Sequence, residues 1–75
     1  MINKYQFRVK LPRGQGWKEV ETAIQGYELI DVAKIIERGA YVLIFMASVS
    51  ADQAIGLENF LIERGCIVSV EKKGD

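Results

Sequence analysis

The chain has 75 residues, with ten basic and ten acidic side chains, no histidine, one cysteine, 49% apolar residues and 27% charged. This composition describes one small globular domain and excludes a disordered tail, a collagen-like chain or a low-complexity linker. Zero net charge argues against bulk nucleic acid or an anionic membrane as partner, and the missing histidine removes imidazole catalysis and the metal sites built on it.

Met1-Ile2-Asn3-Lys4-Tyr5-Gln6-Phe7-Arg8 contains no continuous apolar core of the kind a secretory signal needs. The longest apolar run, 40–47, is far short of a membrane span. A cytosolic setting is expected, and an unpaired Cys66 fits a reducing compartment.

Residues 4–11 alternate, with Tyr5, Phe7, Val9 and Leu11 on one side and Gln6, Arg8 and Lys10 on the other. That pattern predicts a strand with one dry face. Pro12-Arg13-Gly14-Gln15-Gly16 is turn-rich and ends it. Trp17, Val20, Ile24 and Tyr27 then fall on one side of a helix. Glu19 suits the positive end of its dipole, and Gly26 closes or weakens its last turn.

The isoleucine- and valine-rich stretch 29–37 predicts a second strand, and Arg38-Gly39 a tight hairpin connection. Residues 40–49 predict a third strand, apolar on both faces. Ser50-Ala51-Asp52-Gln53 is a capping box that opens a helix running to about Arg64, with Gly65 at the position of a C-terminal cap. Residues 66–72 alternate once more, with Cys66, Val68 and Val70 opposite Ile67, Ser69 and Glu71.

The order β-α-β-β-α-β, with right-handed crossovers, predicts an α+β fold: a ferredoxin-like sandwich spanning residues 1–75 as a single domain. Its four-stranded antiparallel sheet carries two helices on one face. The other face is then uncovered. A two-residue turn at Arg38-Gly39 pairs Ile35 with Val42, Ala33 with Ile44 and Asp31 with Met46. Ile30, Val32, Ile36, Tyr41, Leu43 and Phe45 share the opposite side. Both sides are apolar, yet two helices cover only one. The bulk of Tyr41, Leu43 and Phe45 places them under the helices. Ala33, Ile35, Val42, Ile44 and Met46 are left on the bare face, beside Arg8. A bare apolar sheet marks an interface. A change of one residue in the turn reverses the assignment.

Gly14 and Gly16, with Lys10 and Arg13 nearby, offer close backbone approach and free N–H groups to a carboxylate or phosphate. The spacing is not that of a phosphate-binding loop. Glu58 is expected to reach water at the edge of an apolar stripe, Phe60 to lie on the exposed side of its helix, and Cys66 to be a small core residue. Asp31, Glu37 and Asp52 are scattered, with no pairing suited to acid–base work or to a metal. No catalytic constellation emerges, so no enzyme, cofactor or metal is expected.

Phe7-Arg8-Val9-Lys10-Leu11-Pro12, the glycine loop, Gly26-Tyr27-Glu28-Leu29-Ile30 and Phe60-Leu61-Ile62-Glu63-Arg64-Gly65-Cys66-Ile67-Val68 together resemble an ACT-type regulatory domain. The resemblance implies a ferredoxin-like unit that pairs through its sheets. It also implies a small ligand, commonly an amino acid, where the first loop meets a neighbouring subunit, with Gly14 and Gly16 matching that loop. The family's acidic residue and proline ahead of the loop glycine are replaced by Pro12-Arg13. Arg38-Gly39-Ala40-Tyr41-Val42-Leu43-Ile44-Phe45 resembles the third-strand motif of RNA-recognition domains, but Tyr5 and Phe7 fall on the side opposite Arg8 and Lys10. The expected function is a small interaction module, a homodimer or an adaptor or inhibitor docking on a larger protein through the bare sheet. The alternatives are an ACT-like sensor of a small anion at Lys10, Arg13, Gly14 and Gly16, and a binder of single-stranded nucleic acid.

Overall fold

The structure is a computed structural model that describes residues 1–27 and 32–74, with the side chains of 32 and 33 outside the description. Its elements are β1 (Asn3–Lys10), α1 (Trp17–Gly26), β2 (Val32–Arg38), β3 (Val42–Val49), α2 (Ala51–Glu63) and β4 (Ile67–Gly74). The strands form one antiparallel sheet in the order β2-β3-β1-β4. This is the ferredoxin-like topology. The expected beginning of the second strand, residues 29–31, lies outside the described residues.

Alternation builds the core. Phe7 and Val9 of β1 pair directly with Phe45 and Leu43 of β3, and with Val70 and Val68 of β4. Directly opposed residues share a face, so one apolar layer runs across three strands. The Phe7 and Phe45 rings stack with centroids 5.0 Å apart. Val20 and Ile24 of α1, and Ala54, Leu57 and Leu61 of α2, close over this layer. Trp17 and Tyr27 pack at its margin. Phe60, expected on an exposed side, instead stacks on Tyr27 with centroids 4.6 Å apart, so the two helices meet through their aromatics.

The ends of α2 follow from local chemistry. The Ser50 hydroxyl accepts from the Gln53 N–H at 3.1 Å, and the Gln53 side chain accepts from the Ser50 N–H at 3.0 Å. At the other end the Gly65 N–H donates to the Ile62 carbonyl at 2.9 Å and the Cys66 N–H to the Leu61 carbonyl at 3.0 Å. Gly65 has φ +94°, where a side chain is strained. This is a Schellman ending, and it delivers Cys66 straight into the core.

The hairpin departs from expectation. Its turn lies over Ala40 and Tyr41, closed by the Gly39 N–H donating to the Val42 carbonyl at 2.7 Å, not over Arg38-Gly39. A Cβ on Gly39 would stand 3.2 Å from Val42 Cγ1 and 3.3 Å from its carbonyl oxygen, so the glycine permits the tight closure. The ladder then slips twice, with Ile36 and Ala33 as extra residues: Arg38 pairs with Leu43, Glu37 with Ile44, Ile35 with Phe45, Lys34 with Met46 and Val32 with Ala47. Each extra residue reverses the alternation of what precedes it.

Two placements change as a result. Ile35, expected on the bare face opposite Val42, pairs with Phe45 and packs against the core. Tyr41, expected beneath the helices, sits in the turn and is 78% exposed. Leu43 and Phe45 do lie beneath the helices, and Val42, Ile44 and Met46 lie on the opposite side. The side chain of Ala33 is outside the description.

Candidate functional site

The register reads out the uncovered face as rows across the sheet. Running from β2 to β4, one row is Glu37, Ile44, Arg8 and Ser69. The next is Lys34, Met46, Gln6 and Glu71. On the other side of the first row, Val42, Lys10 and Ile67 lie side by side. The face is therefore striped along the strands. β3 contributes an apolar stripe, β1 a basic and polar one, and β2 one residue of each charge.

Burial differs along the stripe. Ile44 is 9% exposed, while Val42 and Met46 are half-buried. Long charged side chains flank Ile44 on both neighbouring strands, and their stems shield apolar surface while the charged heads stay wet. Ile67, at the start of β4, is 67% exposed. Arg8, Lys10, Lys34 and Glu37 have no ion-pair partner among the described residues. At one end of the face, Arg8, Lys10, Tyr41, Val42, Ile67 and Ser69 surround a shallow depression of about 370 Å³.

Arg38 behaves differently from the other charges of β2. It pairs with Leu43, which puts it on the helix side. There its Nε and Nη2 donate to the two carboxylate oxygens of Glu21 on α1, at 3.1 and 3.2 Å. Its guanidinium also lies 5.2 Å from the centre of the Trp17 ring. The hydrogen bond to Glu21 holds the guanidinium pKa above its ordinary value. This clamp was not legible in the sequence, because helix and strand spacing alone did not bring positions 17, 21 and 38 together.

The first βα loop is a separate place. Gly14 has φ +84°, and the Gln15 N–H donates to the Pro12 carbonyl at 3.2 Å. That is a tight turn whose third residue must be left-handed, so Gly14 serves the turn itself. The Gly16 N–H at the start of α1 donates to Glu19 Oε2 at 2.8 Å. A carboxylate already occupies the helix start, and a second anion there meets like charge. Of the expected ligand residues, Arg13 and Gly14 line a depression of about 360 Å³ with Gln15 and Tyr41. Lys10 lines the other depression, on the uncovered face, and Gly16 lines neither. The buried Oε1 of Gln15 has no hydrogen-bond partner among the described residues.

Other chemistry is sparse. Cys66 is buried, and desolvation pushes its thiol pKa up against the opposing pull of Arg64. A protonated, enclosed thiol is a packing group. Among the described residues no cluster of acidic, cysteine or histidine side chains is arranged to hold a metal ion, and no helix is long and apolar enough to cross a membrane. Phe7 and Phe45 are fully buried against each other, so they offer no stacking platform to nucleobases. Comparison with protein families, curated proteins and solved structures finds no match to the chain.

Proposed function

We propose that the chain is a small interaction module that works through the uncovered face of its sheet, and not an enzyme. The observation that carries this reading is the Val42, Ile44 and Met46 stripe, set in the middle of the open face and bordered by charges with no ion-pair partner among the described residues. An apolar centre with a charged rim is the anatomy of an association surface. The test is sedimentation of the wild type and Ile44→Asp in the micromolar range. The reading expects association in the wild type, and loss of association with a retained circular-dichroism spectrum in the variant. Met46→Asp, at a less buried position of the same stripe, gives the same answer if Ile44→Asp fails to fold. Association that survives both folded variants removes the sheet face from consideration.

One observation favours a second reading, an ACT-like sensor. Gln15, whose buried amide oxygen has no hydrogen-bond partner among the described residues, lines the same depression as Arg13. An amino acid supplies an ammonium group for the first and a carboxylate for the second. A thermal-shift series with free amino acids tests this. Occupancy at 100 times the dissociation constant stabilises the fold by about 2.7 kcal/mol, and Gln15→Leu abolishes that gain. A flat series across all amino acids removes the sensor reading.

A further inference from the structure

We infer that the partner on the uncovered face is a second copy of the chain, related by a two-fold axis that runs along β3, so that Arg8 of each subunit lies opposite Glu37 of the partner subunit. The inference rests on reading this face as the association surface, and it adds the occupant and the register.

The row structure supplies the reason. Glu37 and Arg8 are the two immediate neighbours of Ile44 in one row, one on β2 and the other on β1. They carry opposite charge, both are exposed, and neither has an ion-pair partner among the described residues. A two-fold axis laid along β3 exchanges left for right across the sheet and preserves position along the strands. Ile44 then stacks on its own copy, and so do Val42 and Met46. The same operation brings each Arg8 over the partner subunit's Glu37. In the next row it brings each Lys34 over the partner subunit's Gln6, which offers it an acceptor. One rotation thus matches apolar to apolar at the centre and basic to acidic or polar at the sides. Aligned stacking of this kind is an ordinary way for two sheets to meet.

Other two-fold placements fail on charge. An axis across the strands lays β1 on its own copy, where the basic Lys4, Arg8 and Lys10 face only one another or Gln6 and find no acidic partner. An axis along the strands between β3 and β1 buries Arg8 on the partner subunit's Ile44 and leaves that guanidinium unpaired in the centre. Desolvated, unpaired cations are the costliest outcome available. The zero net charge of the chain imposes no long-range repulsion between copies.

The axis along β3 overlaps three strands of each subunit, and β4 overhangs. The contact is consequently small, and the association belongs to the weak, reversible class. Its dissociation constant is expected in the micromolar range.

Charge reversal tests the register, because both positions are exposed and neither belongs to the core. Sedimentation equilibrium compares the wild type, Arg8→Glu, Glu37→Arg and the variant carrying both changes. Each single reversal creates two like-charge contacts per dimer and weakens association by about tenfold or more. The double reversal restores it to within about threefold of the wild type. Weakening by both single changes without restoration in the double variant overturns the register. A response to Ile44→Asp or Met46→Asp with none to the charges also overturns it, and leaves the sheet-face reading standing. A wild type that stays monomeric at hundreds of micromolar overturns the second copy as occupant. Association indifferent to every one of these folded variants overturns the sheet-face reading as well.

Discussion

Alternate residues of β3 belong to different worlds. Leu43, Phe45, Ala47 and Val49 are sealed beneath the helices, whereas Val42 and Met46 remain half-open on the other side. From 42 to 47 the side chains are apolar on both sides, so composition does not separate them. The covered side is finished by helix side chains, and the uncovered side only by the stems of its own charged neighbours. A sheet face therefore becomes core or contact surface according to what is laid over it.

The largest test of that contrast uses Phe45 and Met46, adjacent in sequence and opposite in space. Phe45→Ala removes a fully buried ring stacked on Phe7 and should cost about 3–5 kcal/mol in urea unfolding. Met46→Ala should cost less than about 1.5 kcal/mol under the same conditions. Equal losses at the two positions would mean that the open face is packed as tightly as the core.

A smaller effect is expected where α2 is brought to a stop above the covered face. Gly65→Ala forces a Cβ into a left-handed backbone at φ +94° and should lower stability by about 1–2 kcal/mol, read as a drop in melting temperature. Gly26→Ala, in the last turn of α1, has no neighbour within 4 Å and no such backbone, so it should be neutral or mildly stabilising. If the two substitutions behave alike, the Schellman ending does not matter to the fold.

The smallest effect is a pH dependence at Cys66, whose neighbour Ile67 points to the open face. Burial raises the Cys66 thiol pKa in the folded chain. The stability that the neutral thiol allows is therefore complete below the unfolded thiol's value of about 8.5 and declines as pH rises through the folded value. Urea midpoints at neutral and alkaline pH should fall more in the wild type than in Cys66→Ala. An identical slope would show that the thiol reaches water after all.

Much of this was written in local patterns. The faces of β1 and β4 follow from strict alternation, those of β3 from the greater bulk of Leu43 and Phe45, α1 from the spacing of Trp17, Val20, Ile24 and Tyr27, and the ends of α2 from Ser50, Gln53 and Gly65. Of the residues expected on the bare face, Arg8 was placed by the alternation of β1, and Val42, Ile44 and Met46 by the greater bulk of Leu43 and Phe45 on the opposite side; the structure puts all four on the uncovered side. The loop residues were legible as a turn but not as a cleft. Lys10 points to the sheet face, Gly16 is engaged by Glu19, and only the packed structure shows Gln15 beside Arg13.

The sequence by itself determined the order of the elements and which side chains of β1 and β4 face inward, because periodicity and caps act over a few residues. Only the tertiary structure decided the fate of β2. Arg38 meets Glu21 and Trp17 on the helix side, Gly39 closes against Val42, and beyond them the strand admits extra residues at Ile36 and Ala33. A bulge is a compromise between distant partners. It leaves no periodic trace, yet the extra residue at Ile36 turned Ile35 inward, while the turn over Ala40 and Tyr41 set Glu37 beside Ile44.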